Sequence, residues 1–258
     1  MLGGSTVTNA GLTVIDGDLG VSPGTAITGF PPGSVINGSI YTGADPVALQ
    51  AHADAITAYD FLAGEPTGTN LSGQNLGGLI LTPGVYTFNA SAQLTGTLTL
   101  DTQGDPNAIF HFQIGTTFTT DALSSVITVG LGGAPAPNIF WQVGTSATIG
   151  ANTALEGTIL AQTSISLGAG AGIMGRALAI DGAVTLSSNN ISNGLAAVPE
   201  PATLSYGLFG IGLLLAKFCW DGRMKKANRR NFARCQKRSK MVGFRGSRPG
   251  RATARQAV

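Results

Sequence analysis

The chain has 258 residues, enough for one large all-β domain or two smaller ones with a real core. Its 38 glycines, 11% charged residues and 43% apolar residues favour a single turn-rich body and exclude a helical bundle or a disordered chain. The net charge of +2 conceals two opposite parts: residues 1–200 carry one basic residue, Arg176, against twelve acidic ones (net −11), and residues 201–258 carry fourteen basic residues against the single acid Asp221 (net +13). An acidic body repels phosphate backbones, so nucleic acid is not expected as its partner.

The first residues, Met1-Leu2-Gly3-Gly4, lead straight into strand-like sequence with no secretory leader, which leaves a truncated start open. An apolar-x-Gly-x-apolar segment then recurs. It reads Ile15-Asp16-Gly17-Asp18-Leu19, Ile36-Asn37-Gly38-Ser39-Ile40, Leu155-Glu156-Gly157-Thr158-Ile159 and Ile173-Met174-Gly175-Arg176-Ala177, with offsets of 21 residues in the first pair and 18 in the second. Periods near 20 with alternating inward apolar residues are the mark of a solenoid of short strands and tight corners. The wide gap between the pairs says that it is interrupted.

A helix is expected over residues 46–63. Asp45 is a good N-cap and Pro46 suits the first helical position, while Gly64 and Pro66 stop it. Leu49, Ala53, Ile56 and Tyr59, with His52 beside them, form an apolar face at helical spacing through which the helix is expected to pack. At about 27 Å it matches five or six coils stacked about 4.8 Å apart.

Further along, Phe112-Gln113-Ile114-Gly115-Thr116 returns as Trp141-Gln142-Val143-Gly144-Thr145, each followed by a Thr/Ser-rich strand. Alternation puts Phe118, Ala147, Ile149, Ile165, Val184 and Leu186 inward, so Thr117, Thr119, Ser146, Thr148, Ser164, Ser166 and Thr185 face out. Corners at Gly115, Gly144 and Gly182 are expected to bring these hydroxyls into register on one side.

At Val198-Pro199-Glu200-Pro201 the texture changes. Residues 202–216 are uncharged and mostly apolar, reaching about 22 Å as a helix, or about 28 Å if Lys217 snorkels and the span runs on to Trp220. Arg223, Lys225, Lys226, Arg229 and Arg230 crowd behind it and hold that end in the cytoplasm. This order resembles the PEP-CTERM sorting signal of Gram-negative bacteria, with Pro199, Glu200 and Pro201 as its motif. The resemblance covers residues 198–230 and implies an exosortase as processing partner, transient anchoring in the inner membrane, and a secreted or cell-surface body. A plain membrane anchor is the alternative. Residues 231–258 are basic, without apolar periodicity, and expected to be disordered.

Little points to catalysis. The two histidines, His52 and His111, have no HExxH context or cysteine partner, and both cysteines, Cys219 and Cys235, lie in the tail. Asp16 and Asp18 alternate around a glycine, but the nonapeptide calcium repeat of other solenoids is missing. A polysaccharide lyase needs a basic cleft, and Arg176 alone does not make one. No catalytic residue, metal ligand or cofactor is assigned.

Across residues 2–193 the body resembles the bacterial, fungal and algal ice-binding protein family. The resemblance is carried by Leu2-Gly3-Gly4-Ser5-Thr6-Val7-Thr8-Asn9, Gly17-Asp18-Leu19-Gly20-Val21-Ser22-Pro23-Gly24, Leu94-Thr95-Gly96-Thr97-Leu98-Thr99-Leu100, Phe140-Trp141-Gln142-Val143-Gly144 and Gly175-Arg176-Ala177-Leu178-Ala179. It implies a discontinuous right-handed β-solenoid of triangular section, with one long helix alongside, that adsorbs to ice and inhibits its recrystallisation. The expected organisation is an ice-binding-type domain over 1–197, a sorting signal over 198–230 and a tail over 231–258.

Ice is a repeating solid, so its recognition needs a flat, rigid surface of small groups at regular intervals. A solenoid face offers ranks about 4.8 Å apart along the axis and about 6.7 Å apart between residues i and i+2. Threonine suits it, because its methyl and hydroxyl order water jointly and its χ1 is stiff. Such hydroxyls are also ordinary solvent-facing strand composition. An extracellular adhesin or carbohydrate-binding role stays open; exposed aromatic platforms would favour it, and Trp141 stands at an inward-looking position.

Overall fold

The computed structural model describes residues 1–131 and 138–192; the sorting-signal residues Pro199, Glu200 and Pro201 and everything after them lie outside the described residues. Within it, short strands pair in parallel throughout, as they must when each coil repeats the direction of the last. Most coils contribute three strands to three faces. One face is a seven-stranded sheet, and the other two form a single fifteen-stranded sheet. Those two are continuous because strands Ala154–Ala161 and Gly172–Ala179 run round the corner between them. Gly157 and Gly175 make that corner at φ 107° and 151°, where a side chain on Gly175 would strike the Gly157 carbonyl. Between paired positions the second of the first two Gly-motif segments is one residue longer than the first, so Ile15 pairs with Val35 rather than Ile36. Asp16 pairs with Ile36 and Leu19 with Ile40, and Asn37 absorbs the extra residue at φ 54°.

The stack does not follow chain order. In the seven-stranded sheet the sequence of strands is Ala92–Leu94, Phe118–Thr120, Ala147–Ile149, Ile165–Leu167, Val184–Ser187, Thr6–Ala10 and Ala26–Thr28. The first two coils therefore rest on the last one, and the junction between them is held without a covalent link. The chain then returns along the side of the stack as a helix and re-enters at Thr69–Asn70, on the edge beside Gly84–Phe88.

Inward residues fill the prism. Phe118, Ala147, Ile165, Val184 and Val7 stack in one column, all buried, and each fully buried aliphatic or aromatic side chain contributes about 1.5–3 kcal/mol. Tyr86, Phe112, Trp141 and Phe118 form a stacked ladder with successive ring centroids 5.5, 4.0 and 4.7 Å apart. The Trp141 indole N–H donates to the Glu156 carbonyl at 3.0 Å, so its one polar atom is satisfied.

The helix runs Pro46–Gly64, one residue past the expected end. Asp45 caps it by accepting from the Val47 amide at 2.9 Å. Of its expected packing face only His52 and Tyr59 turn toward the stack, however. Leu49 and Ile56 are 48% and 36% exposed and Ala53 is exposed, whereas Ala48, Ala55 and Leu62 are buried, with His52 and Tyr59 half-buried between them. The true face is turned by about 100° from the bulkier one, because alanines let the backbone lie close on the sheet. Three polar links fix it there. The His52 Nε2–H donates to the Ile180 carbonyl at 3.0 Å. Gln113 Nε2 donates to the carbonyls of Leu62 and Glu65 at 3.0 and 2.9 Å, satisfying two acceptors at the helix end. Glu65 in turn binds His111 Nδ1 at 2.7 Å. Both histidines thus serve the helix. No described helix is long and apolar enough to cross a membrane, a statement that does not reach the tail.

Candidate functional site

The seven-stranded sheet is the face that carries the predicted hydroxyls, and alternation dictates which side chains reach its surface. Its outward residues form one file paired strand by strand: Gln93, Thr119, Thr148, Ser166, Thr185, Thr8 and Thr28. Thr148, Thr185 and Thr28 are exposed; Thr119, Ser166 and Thr8 are half-buried. Two residues earlier in each coil, Thr117, Ser146 and Ser164 form the start of a second file, which continues as Ala183 and Thr6. The structure therefore brings all seven predicted residues to one side, four in the first file and three in the second.

The two files differ in what their hydroxyls are free to do. Ser146 Oγ accepts from the Ser164 amide at 3.4 Å, and Ser164 Oγ accepts from the Ala183 amide at 3.2 Å. These two serines are tied into the coil-to-coil backbone. In the first file Thr8 and Thr185 are linked Oγ1 to Oγ1 at 3.5 Å, and Gln93 Nε2 at its end donates to Thr95 Oγ1 at 3.5 Å. Neither file contains a charged residue.

Expected corners at Gly115 and Gly144 do stack, since a side chain on Gly144 would come within 2.1 Å of the Gly115 carbonyl. Gly182 is a correction. Its amide bonds to Thr163, which stacks on Thr145, so it stands one position later in the column. The coil from Ile165 to its partner Val184 holds one more residue than the coil from Ala147 to Ile165, and the extra residue is taken up before the sheet, leaving the outward file in step.

Sequence reasoning missed Thr6, Thr8 and Thr28. The signal for Thr6 and Thr8 was present as Thr6-Val7-Thr8, a strand alternating around an inward valine, and that for Thr28 as Ala26-Ile27-Thr28. What hid it was topology, because nothing in chain order says that residue 8 lies beside residue 185.

Neither of the other faces offers a comparable plane. One is covered by the helix. The third carries outward Asp16, Asp101 and Glu156 among Ile127, Val129 and Met174, and is indented by a shallow groove lined by Ile127, Ala154, Glu156, Gly172, Met174 and Asn190. Burial pushes the Glu156 carboxyl above its usual range, opposed by hydrogen bonds from Thr128.

A family profile described as Ice-binding-like matches residues 1–192. An ice-binding protein of Nostoc sp. (strain HG1) is 51% identical over 234 residues, covering 88% of this chain and 85% of that one. Another, from Flavobacterium frigoris (strain PS1), is 32% identical over 199 residues, covering 72% and 70% of the two chains. Among solved structures, an ice-binding protein from an Antarctic biological consortium superposes with a TM-score of 0.70 at 46% identity, over 74% of this chain and 86% of that one. One from the ascomycete Antarctomyces psychrotrophicus gives 0.69 at 42% identity, over 74% and 92%. The chain belongs to the ice-binding-like family.

Proposed function

We propose that the protein binds ice through its hydroxyl face and inhibits recrystallisation. The observation that carries this reading is the uncharged file Thr119, Thr148, Ser166, Thr185, Thr8 and Thr28, held in register at about 4.8 Å per rank on a rigid parallel sheet. Thr117, Ser146 and Ser164 border it, with the two serines bracing the backbone. Adsorption at such a face needs no catalytic step, metal or cofactor; the partner is the crystal surface. Partition of the protein into slowly growing ice, against a non-binding protein of similar size, tests it: exclusion from the ice would end this reading. An adhesin or carbohydrate-binding role has the weaker support: Trp141, Phe112 and Phe118 are stacked in the core, leaving Phe61 on the helix as the large exposed aromatic among the described residues.

We propose further that the C-terminal tail delivers this body to the outside of the cell. The body over 1–197 is secreted, the segment over 198–230 anchors it briefly in the inner membrane, and an exosortase cuts near Pro199-Glu200-Pro201; residues 231–258 form a basic extension. Supporting it are the order of rigid prolines, apolar run and basic cluster, and the likeness to the Nostoc protein, whose coverage of this chain extends past residue 192. Replacing Pro199, Glu200 and Pro201 by alanine should trap the protein in the membrane fraction of the producing cell. Unchanged release would refute processing at that motif.

A further inference from the structure

The seam between the first coil and the last is crossed by one continuous chain of side-chain hydrogen bonds. Asn189 Nδ2 donates to the carbonyls of Gly168 and Ala171 at 2.8 and 2.9 Å, reaching back into the preceding coil. The Asn189 amide donates to Thr13 Oγ1 at 3.0 Å, which is the step across the seam. Thr13 Oγ1 donates to Asn9 Oδ1 at 2.5 Å, and Asn9 Nδ2 donates to the carbonyls of Gly11 and Gly29 at 2.9 Å each. Four successive coils are linked, from Gly168 to Gly29. Thr13 and Asn189 are 1% and 2% exposed, so these groups have no water to fall back on.

We infer that Asn9, Thr13 and Asn189 form a register lock that positions Thr8 and Thr28 as a continuation of the ice-binding file. The inference rests on the ice-binding reading above. Apolar burial alone fixes only parity here: Val7 must point inward, which forbids a slip of one residue, but a slip of two keeps the same alternation while moving the file by about 6.7 Å. Elsewhere in the stack the covalent chain limits such slips. At the seam no peptide bond joins the two coils, and the buried polar chain supplies the missing constraint: only one register brings the Asn189 backbone amide to Thr13 Oγ1, whose own proton is already committed to Asn9 Oδ1 within the first coil. Asn9 and Thr13 belong to the coil that carries Thr8, and Asn189 to the coil that carries Thr185. The lock therefore acts on the two ranks that meet at the seam.

The test uses the full chain and three substitutions beside it: Thr13→Val, which keeps the shape and removes the hydroxyl, Thr13→Ser, which keeps the hydroxyl, and Thr8→Tyr. Thr148→Tyr serves as the reference for the ice reading. Recrystallisation inhibition is measured at sub-zero temperature, and amide exchange is followed in Thr6–Ala10 and, as an internal standard, in Ile165–Leu167. Thr13→Val should raise the concentration needed for inhibition several-fold, about as far as Thr8→Tyr, and speed exchange in Thr6–Ala10 at least tenfold while Ile165–Leu167 is unchanged. Thr13→Ser should restore both. Full activity and unchanged exchange in Thr13→Val, with Thr8→Tyr and Thr148→Tyr both impaired, would overturn the lock. Loss in Thr148→Tyr with none in Thr8→Tyr would overturn the claim that the first coils belong to the contact. Absence of ice affinity in the parent chain would instead sink the functional reading, and the exchange arm would still decide whether the lock exists. Should Thr13→Val fail to fold, Asn9→Ala, at a half-buried position, takes its place with the same outcomes.

Discussion

Thr8 and Thr185 lie side by side on the hydroxyl face, 177 residues apart in the chain, with their Oγ1 atoms 3.5 Å from one another. Their strands pair over four positions, Val7 to Val184 through Ala10 to Ser187, so the face continues across the seam without a missing rank. That continuity makes the middle of the file the most sensitive place to perturb. Thr148 is exposed there, and its neighbours Ala147 and Ile149 are buried. Thr148→Tyr should hold ice off the surrounding ranks and sharply reduce recrystallisation inhibition, while stability changes by less than about 0.5 kcal/mol. Ser34, exposed on the grooved face, provides the control. Full activity in Thr148→Tyr together with loss in Ser34→Tyr would place ice on the other side of the prism.

Much of this geometry could be read from sequence, and the parts that could not share a cause. Inward Phe118, Ala147, Ile165 and Val184 followed from alternation, and the cap at Asp45 from local chemistry, because each depends on neighbours within a few residues. Periodicity picks Leu49 for the packing face and passes over Ala48 because it weighs hydrophobic bulk, whereas a helix laid on a sheet selects small residues for close approach. Thr8 and Thr28 were missed because coil adjacency is a tertiary fact. Gly182 was placed in the wrong column because an inserted residue in one coil leaves no local signature.

Ser166 is the one position between Thr119 and Thr28 in the file that lacks threonine. Its neighbours Thr148 and Thr185 each carry a γ-methyl that serine lacks, which leaves a methyl-sized dip at that rank. Ser166→Thr should fill the dip, with a β-branched residue that strands favour, and stiffen the hydroxyl. Ice partition and recrystallisation inhibition should improve without loss of stability. A decrease in either would mean that the recess itself is part of the contact.

Ala55 offers a check on the helix. It is buried against the sheet, and Ala55→Leu should lift the helix at a cost of about 1–3 kcal/mol. Leu49→Ala, on a half-exposed side chain, should cost less than about 1.5 kcal/mol. Chemical denaturation at constant m would compare them. The opposite order would restore the packing face read from sequence.

Leu123 occupies the left-handed region at φ 62° and is 76% exposed, while the corresponding corner of the next coil is Asn152 at φ 54°. A left-handed conformation costs an ordinary side chain about 1–2 kcal/mol, and asparagine bears it more easily. Leu123→Asn should therefore stabilise the protein by about 0.5–1 kcal/mol, read as a higher denaturation midpoint. A lower midpoint would show that the leucine makes a contact worth more than its strain.

The His111 imidazole gives the protein a pH dependence of predictable sign. Burial pushes its pKa below the ordinary 6.5, and the Glu65 carboxylate only partly offsets this. Nδ1 is bound to Glu65, and Nε2 is buried without a partner, so a second proton would have nowhere to donate. With the folded pKa depressed, the unfolded chain takes up a proton first as the pH falls. The stabilisation due to neutral His111 is thus complete above about pH 6.5 and is lost as the pH falls through that value toward the folded pKa. Stability measured between about pH 5.5 and 7.5, where unfolded carboxylates stay ionised, should decline toward the acid end. His111→Gln should reduce the decline at some cost in overall stability, because Gln cannot be protonated, and leave the part due to the Met1 ammonium, whose pKa burial lowers to about 6. A slope unchanged by the substitution would assign the pH dependence to another group.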